Sequence, residues 1–245
     1  MAEPTPSGGA ATATERTLRL AGFDRDGIAD GPGLRCVVFV QGCPHHCPGC
    51  QNPQTWPFEG GQEATPSEVF ARIAETVLDT GVTFSGGEPF AQADALADLA
   101  DLLRPRYDIA CYTGYVFEAL LKKAESEPGV RRLLERIDIL VDGPFVQARR
   151  DRLLLFRGSG NQRILDVPAS LAAGAAVWTK DPAWVGEDGS ARAEISAAPP
   201  PPRPSPDGPV AFRARFRYTR RHESNRRKQG PRSARRHLRA GRGAA

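Results

Sequence analysis

The chain contains no uninterrupted run of 18 or more apolar residues, so the sequence predicts no membrane-spanning helix. Its first 14 residues are small and polar and lack the apolar core of a signal peptide, so we expect none. Five cysteines are an odd number and too few for a disulfide scaffold in 245 residues. These absences favour a reducing compartment, and we expect a cytoplasmic protein without a membrane partner.

Charge is divided unevenly along the chain. Residues 203–245 carry 14 Lys/Arg and 2 Asp/Glu, whereas residues 1–202 carry 19 basic and 27 acidic residues. We predict three regions: a disordered N-terminus (1–16), a folded domain (17–184) and a disordered Pro/Arg-rich tail (185–245). Such a tail can bind nucleic acid through charge alone. It has little aromatic interleaving and no nucleic-acid motif, so we expect no nucleic-acid partner.

Three of the five cysteines, Cys43, Cys47 and Cys50, lie within eight residues on a Pro/Gly-rich loop. Their C-x3-C-x2-C spacing can place three thiolates around one centre and leave one ligand position open. A zinc site would need a fourth ligand, such as His45 or His46, and the distant cysteine pair of a zinc finger is absent. The spacing therefore favours a [4Fe-4S] cluster.

Strand-like and helix-like segments alternate between residues 18 and 179, which predicts parallel β-α-β units. The predicted strands are 18–23, 36–40, 82–84, 108–112, 137–141, 152–156 and 175–179. Helices are predicted to begin at Thr65, after Pro89, and over 116–124, 130–136 and 167–173. Cys36 and Cys111 fall in apolar segments and are predicted to be buried. There are too few units for an eight-stranded barrel, so we predict an incomplete, open parallel β/α barrel.

Two polar motifs follow predicted strands, where parallel sheets carry their active sites. The first is Ser85-Gly86-Gly87-Glu88-Pro89, whose glycines let a ligand approach the backbone and whose carboxylate suits an ammonium group. The second begins at Asp142, which either binds a cofactor or forms a turn. An ordinary turn is the alternative for each motif. Arg35 either pairs with Asp30 or contacts a partner, and the sequence does not separate the two.

These motifs together resemble the radical S-adenosylmethionine (SAM) superfamily, through the cysteine spacing and Gly-Gly-Glu-Pro. Asp30-Gly31-Pro32-Gly33-Leu34-Arg35 and Gln51-Asn52-Pro53 narrow the resemblance to the activating enzymes of glycyl-radical enzymes. Asp142-Gly143-Pro144-Phe145 and 157–163 make it closest to the anaerobic ribonucleoside-triphosphate reductase activating family. The resemblance covers about residues 17–184 and does not include the basic tail.

The resemblance implies an oxidoreductase with one [4Fe-4S] cluster held by the three cysteines, and with SAM on the fourth iron. It implies SAM contacts from Gly49, Cys50, Gln51, Gly86, Gly87, Glu88 and Asp142, and no catalytic residue beyond this site. An external donor such as flavodoxin or ferredoxin would supply one electron. The resulting 5′-deoxyadenosyl radical would take a hydrogen atom from a glycine of the reductase.

Other functions stay open at this point. Pyruvate formate-lyase activating enzymes share the Asp-Gly-Pro-Gly and cysteine motifs, and other radical SAM enzymes act on small molecules. Five cysteines disfavour activating enzymes that carry an extra ferredoxin-like insert. A zinc- or cluster-bearing module whose tail binds nucleic acid is an alternative of a different class.

Overall fold

The computed structural model describes residues 15–75 and 81–187. Within these residues seven strands form one sheet in the order β3-β1-β2-β4-β5-β6-β7. The strands are β1 (Leu18–Gly27), β2 (Arg35–Val40), β3 (Gln62–Ala64), β4 (Gly81–Gly86), β5 (Asp108–Tyr112), β6 (Ile139–Asp142) and β7 (Arg163–Asp166). The helices are α1 (Pro66–Ala74), α2 (Ala93–Leu103), α3 (Phe117–Ala124), α4 (Pro128–Leu134), α5 (Val167–Ala173) and α6 (Pro182–Val185).

The α/β class is confirmed, but the sheet is mixed. Strands β2, β4, β5 and β6 are parallel, whereas β1 pairs antiparallel with β2 and β3, and β7 pairs antiparallel with β6. The connection between β1 and β2 spans only residues 28–34, which is too short for the crossover that parallel neighbours need. Between β6 and β7 only a short 3-10 turn (Gln147–Arg149) occurs, so again no helix carries the chain back.

The first four helices cover one face of the sheet. Val82 and Phe84 of β4 point into the main core with helix residues such as Leu96 and Leu120, while Thr83 faces the other side. That opposite face carries a smaller apolar cluster, made by Ala110, Ile139, Val141, Ile164, Trp184 and Val185. Helices α1 to α4 leave the other face to this smaller cluster, which includes residues of α6, and to a cavity at the strand ends.

Several local predictions can be checked directly. Helix α1 begins as expected with Thr65 as its cap, because the Thr65 hydroxyl accepts from Glu68 N and Glu68 accepts from Thr65 N. Cys36 and Cys111 are both buried, as predicted. The predicted extended segment 152–156 is wrong: the chain turns there, and only an Arg150–Ser159 bridge is formed. The predicted last strand, 175–179, is reduced to one bridge between Leu165 and Trp178.

Arg35 forms its ion pair with Asp108 rather than with Asp30, although its charge still opposes the rise that burial causes in the Asp30 pKa. It is buried, forms an ion pair with Asp108 at 2.8 Å, and donates to the Thr83 hydroxyl and the Val82 carbonyl. Arg35 therefore joins the amino ends of β2, β4 and β5, at the edge of the sheet opposite to the cysteine loop.

The domain boundaries stay predictions. The predicted disordered ends, 1–16 and 185–245, lie almost entirely outside the described residues, as does the end of the first predicted helix at 76–80. In the part of the chain that is described, no helix is both long enough and apolar enough to cross a membrane.

Candidate functional site

A cavity of about 350 Å³ lies where the carboxyl ends of β2, β4, β5 and β6 meet. Each of these strands delivers a polar or glycine-rich segment to it. The lining includes Ala29, Asp30, Cys43, His45, Cys47, Cys50, Gln51, Asn52, Ser85, Gly86, Gly87, Tyr112, Thr113, Gly114, Gly143, Phe145, Leu154, Phe156, Arg157, Gly158 and Gln162. The sequence prediction that both polar motifs face one edge of the sheet is therefore confirmed for their backbone positions.

All three clustered cysteines line this cavity as free thiols. Cys43 is buried, and Cys47 and Cys50 are partly exposed. The loop is fixed at its start by the backbone bond from Cys43 N to Trp56 O (3.0 Å) and closes a turn through the bond from Cys50 N to Cys47 O (3.0 Å). The backbone thus places the three cysteines along the wall of one cavity.

Burial raises the pKa of the Cys43 thiol, while the backbone N–H groups of His45 and His46 act in the opposite direction. Burial likewise raises the pKa of Cys47, against a backbone N–H from Phe145 that points to its sulfur. N–H donors directed at sulfur stabilise a thiolate once a metal has displaced its proton. The N–H groups next to Cys43 and Cys47 therefore lie where they would stabilise metal-bound thiolates.

Gly86 and Gly87 bring the end of β4 against the cysteine loop. Gly86 has a φ of +98°, and a Cβ on Gly87 would lie 2.3 Å from the carbonyl oxygen of Gly42. Because no side chain intervenes, Glu88 N donates to Gly42 O at 2.8 Å. In the structure Gly86 and Gly87 line the cavity and let the backbone of the cysteine loop approach closely. Their role in letting a ligand approach stays a prediction.

Glu88 is fully buried, and its carboxylate accepts four hydrogen bonds. Oε1 accepts from the Thr113 hydroxyl (2.8 Å) and Phe90 N (3.0 Å). Oε2 accepts from Gly114 N (2.9 Å) and lies 2.8 Å from His45 Nε2. The carboxylate is enclosed by these groups, so it offers no exposed oxygen to an ammonium group in this structure, and that role stays a prediction.

Asp142 is also fully buried, and it joins three elements. Its carboxylate accepts from Phe117 N at the start of α3 (2.7 Å) and from Arg163 of β7, which in turn bonds Glu118. Burial raises the pKa of Asp142, with Arg163 acting against it. These bonds reach residues 25 and 21 positions away along the chain, so they do not decide between a turn and a cofactor contact, and both stay predictions.

The remaining predicted cofactor positions lie in the cysteine loop. Cys50 and Gln51 line the cavity. Gly49 turns the chain with a φ of +76°, and a Cβ there would lie 3.1 Å from the side chain of Gln147. A larger residue at position 49 would therefore be strained by its own backbone and crowded by Gln147.

Comparison with known proteins gives the site a family. The model of the 4Fe-4S single cluster domain family matches residues 29–165, which contain the cavity and all three cysteines. The chain is 39% identical over 145 residues to the anaerobic ribonucleoside-triphosphate reductase-activating protein of Salmonella typhimurium, covering 55% of this chain and 90% of that protein. The proteins of that name from Vibrio cholerae (39% over 147 residues) and Escherichia coli K12 (36% over 145 residues) are each covered to 90%.

The chain belongs to this activating-protein family. The family resemblance predicted from the sequence is thereby confirmed. Among solved structures, a crystal structure of QueE from Escherichia coli aligns over 40% of this chain and 52% of that chain, at 19% identity and a TM-score of 0.36.

The donor set of this family member fits the cluster. Three thiols from one loop border a common cavity, with N–H groups near two of the sulfurs. In residues 15–75 and 81–187 no group of three or more His, Cys, Asp or Glu side chains is drawn together around a single metal ion. A [4Fe-4S] cluster binds each thiolate to a different iron, so it needs thiols around a cavity rather than around one ion.

Sequence reasoning assigned no role to several residues that build this site. From the sequence His45 is only a possible zinc ligand, and nothing in its spacing indicates the bond to Glu88 that the fold creates. Gln162, in a motif that the family resemblance had marked, lines the cavity and accepts from Gly158 N at 2.9 Å. Arg157 lines it as well, and burial lowers its pKa. The aromatic Tyr112 and Phe156 side chains carried no motif that could have pointed to them.

Proposed function

We propose that this chain is a radical SAM oxidoreductase that activates an anaerobic ribonucleoside-triphosphate reductase. The observation that carries the proposal is the 39% identity over nine-tenths of the Salmonella typhimurium activating protein, combined with three free thiols around one cavity. When bound, the [4Fe-4S] cluster and SAM supply a 5′-deoxyadenosyl radical, which removes a hydrogen atom from a glycine of the reductase.

In this proposal Cys43, Cys47 and Cys50 hold the cluster. Gln51 and the backbone of Gly86 and Gly87 line the space next to it, which supports their assignment to SAM. The protein's contribution is to place the cofactor, to keep water out of a concave site and to leave an opening for the partner. Gly49 and Asp142 act on the shape of this site, through the turn of the cysteine loop and the bond to Arg163.

Three finer statements belong to the same proposal. The four parallel strands, with α1 to α4 on one face, are compatible with an incomplete radical SAM barrel that begins at β2. Reduction of the cluster requires an external one-electron donor, for which we propose a flavodoxin or a ferredoxin. The cytoplasm, where such donors and the reductase would be found, stays our predicted location.

Anaerobic reconstitution tests the proposal. We expect about four iron and four sulfide per chain, formation of 5′-deoxyadenosine on reduction with SAM, and a glycyl radical on the reductase in electron paramagnetic resonance. The same protein mixed with a pyruvate formate-lyase is the control for substrate choice. A radical on the lyase and none on the reductase would contradict the assignment, and stoichiometric zinc without SAM cleavage would contradict the enzyme class.

A further inference from the structure

The loop between the first two cluster cysteines is tied to the interior by one side chain. His45 stands between Cys43 and Cys47, and its Nε2 lies 2.8 Å from Oε2 of Glu88. Glu88 is fully buried, whereas His45 keeps 18% of its side-chain surface exposed. A hydrogen bond to a buried charged group is among the stronger ones in proteins.

The other three donors to Glu88 belong to the framework of the sheet. Thr113 and Gly114 follow β5, and Phe90 N opens the short 3-10 helix after β4. Each of them is close to a strand end that the main core holds in place. Glu88 therefore joins the rigid sheet to the cysteine loop, and His45 is the group on the loop that it joins.

The imidazole ring of His45 is also held by close packing against its neighbours. It packs edge-on against Tyr115, with the two ring centroids 4.5 Å apart. A Cβ on Gly114 would lie 2.3 Å from the His45 ring, so only glycine leaves room for the imidazole at this place. Tyr115 and Gly114 thus fix the orientation of the His45 ring and how far it reaches into the protein.

His46 provides an internal comparison. It is exposed, has a φ of +47°, and lies edge-on to Trp56 with a 3.3 Å contact to the Pro44 carbonyl. It is adjacent to both His45 and Cys47 in sequence, but its contacts are with Pro44 and Trp56 and not with the buried Glu88. An effect that needs only an imidazole near the cysteines should therefore be seen on substitution of either histidine, whereas an effect of the bond to Glu88 should be seen only for His45.

We propose that His45 is a positioning residue that fixes the cysteine loop on Glu88 before the cluster arrives. The inference rests on the proposed function in one respect, which is that Cys43 and Cys47 hold the cluster. A loop already held in place loses less conformational entropy when the cluster binds.

The test uses the full chain without metal, under reducing and anaerobic conditions. Hydrogen exchange of the amides in 43–50 is measured for the unsubstituted protein, His45→Asn and His46→Asn, because asparagine is too short to reach Glu88 and tolerates a positive φ. We expect exchange to rise about tenfold in His45→Asn and to stay unchanged in His46→Asn. His45→Gln, which can again place an N–H near Glu88, should restore most of the protection.

A second measurement identifies Glu88 as the partner. In a double-mutant cycle, Glu88→Gln alone should loosen the same loop, and adding His45→Asn should loosen it little further. Cluster uptake, followed by iron and sulfide per chain, should be slowed in His45→Asn and not in His46→Asn. Equal behaviour of the two histidine variants, or fully additive effects of His45→Asn and Glu88→Gln, would overturn the proposal.

These outcomes are separate from the proposed activity. If the loop responds as expected and no glycyl radical forms on the reductase, the positioning role stands and the substrate assignment fails. If the radical forms and His45→Asn leaves the loop and cluster uptake unchanged, the reverse holds. Thermal unfolding is recorded for every variant. If His45→Asn does not fold, Glu88→Gln decides the case, because unchanged exchange of residues 43–50 in that variant would also overturn the proposal.

Discussion

Glu88 and Asp142 show how burial limits what a carboxylate at a strand end can do. Both are fully buried, and every bond described for them is to a donor of the protein itself. A buried charge that keeps its donors is tolerated, whereas one that loses a partner is costly. Single substitutions around these two groups should therefore have larger effects than substitutions in the exposed loops.

Arg163→Met should destabilise the protein by about 3 kcal/mol at neutral pH, because it leaves Asp142 buried without its cation. Burial raises the pKa of Asp142 in the folded state above its unfolded value. The folded variant therefore binds the proton more tightly, so the penalty is small below the unfolded pKa and grows as pH rises towards the folded pKa. Urea unfolding of variant and parent at pH 4.5 and pH 7 measures this difference.

The matched control is the double variant Arg163→Met, Asp142→Asn, which removes the charge together with its partner. We expect it to recover most of the lost stability at pH 7 and to lose the pH dependence. A penalty of the same size at both pH values would show that packing of the arginine, rather than the Asp142 charge, is responsible.

Cys47→Ala should abolish stable cluster binding, since two thiolates cannot replace three. Cys36→Ala is the control, because Cys36 lies in the main core and away from the cavity. Iron and sulfide per chain after reconstitution should fall close to zero in the first variant and stay near the parent value in the second. Full iron content in Cys47→Ala would contradict the ligand assignment.

At the level of elements, the end of β4 and the cysteine loop act as one unit. Gly87→Ala would place a methyl group 2.3 Å from the Gly42 carbonyl oxygen, so one of the two segments has to move. We expect a loss of about 2 kcal/mol in unfolding free energy and poorer cluster uptake, in line with the cost of overpacking. Denaturant titration and iron analysis measure the two effects.

Gly160→Ala is the control for Gly87→Ala. A Cβ at position 160 would meet only Arg149 O, at 3.9 Å, and the backbone there does not require glycine. This variant should be nearly neutral. If both alanine variants behave alike, the close approach of β4 to the cysteine loop does not limit stability.

The elements that could be predicted are those whose sequence signals lie in neighbouring residues. The Thr65 cap, β5 at 108–112 and α5 at 167–173 follow from residues next to one another, and the structure confirms them. Segment 152–156 is apolar like a strand, but Leu153 is 91% exposed and the segment turns without a strand partner. Pairing partners come from the whole sheet, so no local pattern could supply the antiparallel direction of β7, whereas the direction of β1 follows from its short connection to β2.

The same distinction holds for the site. The three cysteines and the Gly-Gly-Glu-Pro segment could be found because residue type and spacing carry their chemistry. The enclosure of Glu88 could not, since its four donors come from three separate parts of the chain, at positions 45, 90 and 113–114. Sequence spacing locates such a carboxylate but does not say whether it is exposed.

At the level of the whole molecule, the main core does not depend on the cysteine loop. The buried cluster between the sheet and the helices contains Cys36 and Cys111 but none of Cys43, Cys47 and Cys50. Removal of the cluster by a chelator should therefore leave the far-UV circular dichroism nearly unchanged and should keep a cooperative thermal transition. Loss of most helical signal would show instead that cluster and fold are coupled, as they are in zinc fingers.

The outer strand β3 is three residues long and follows the positive-φ Gly60 and Gly61. The side chains of Gln62 and Glu63 are exposed, and Glu63 forms an ion pair with Arg19. The edge of the sheet at β3 is therefore short and polar. Long, flat and apolar edge strands are the ones that pair with strands of other chains and lead to aggregation. Concentrated, metal-free preparations should therefore resist intermolecular strand pairing at β3. This property would protect the protein from aggregation before its cluster is inserted.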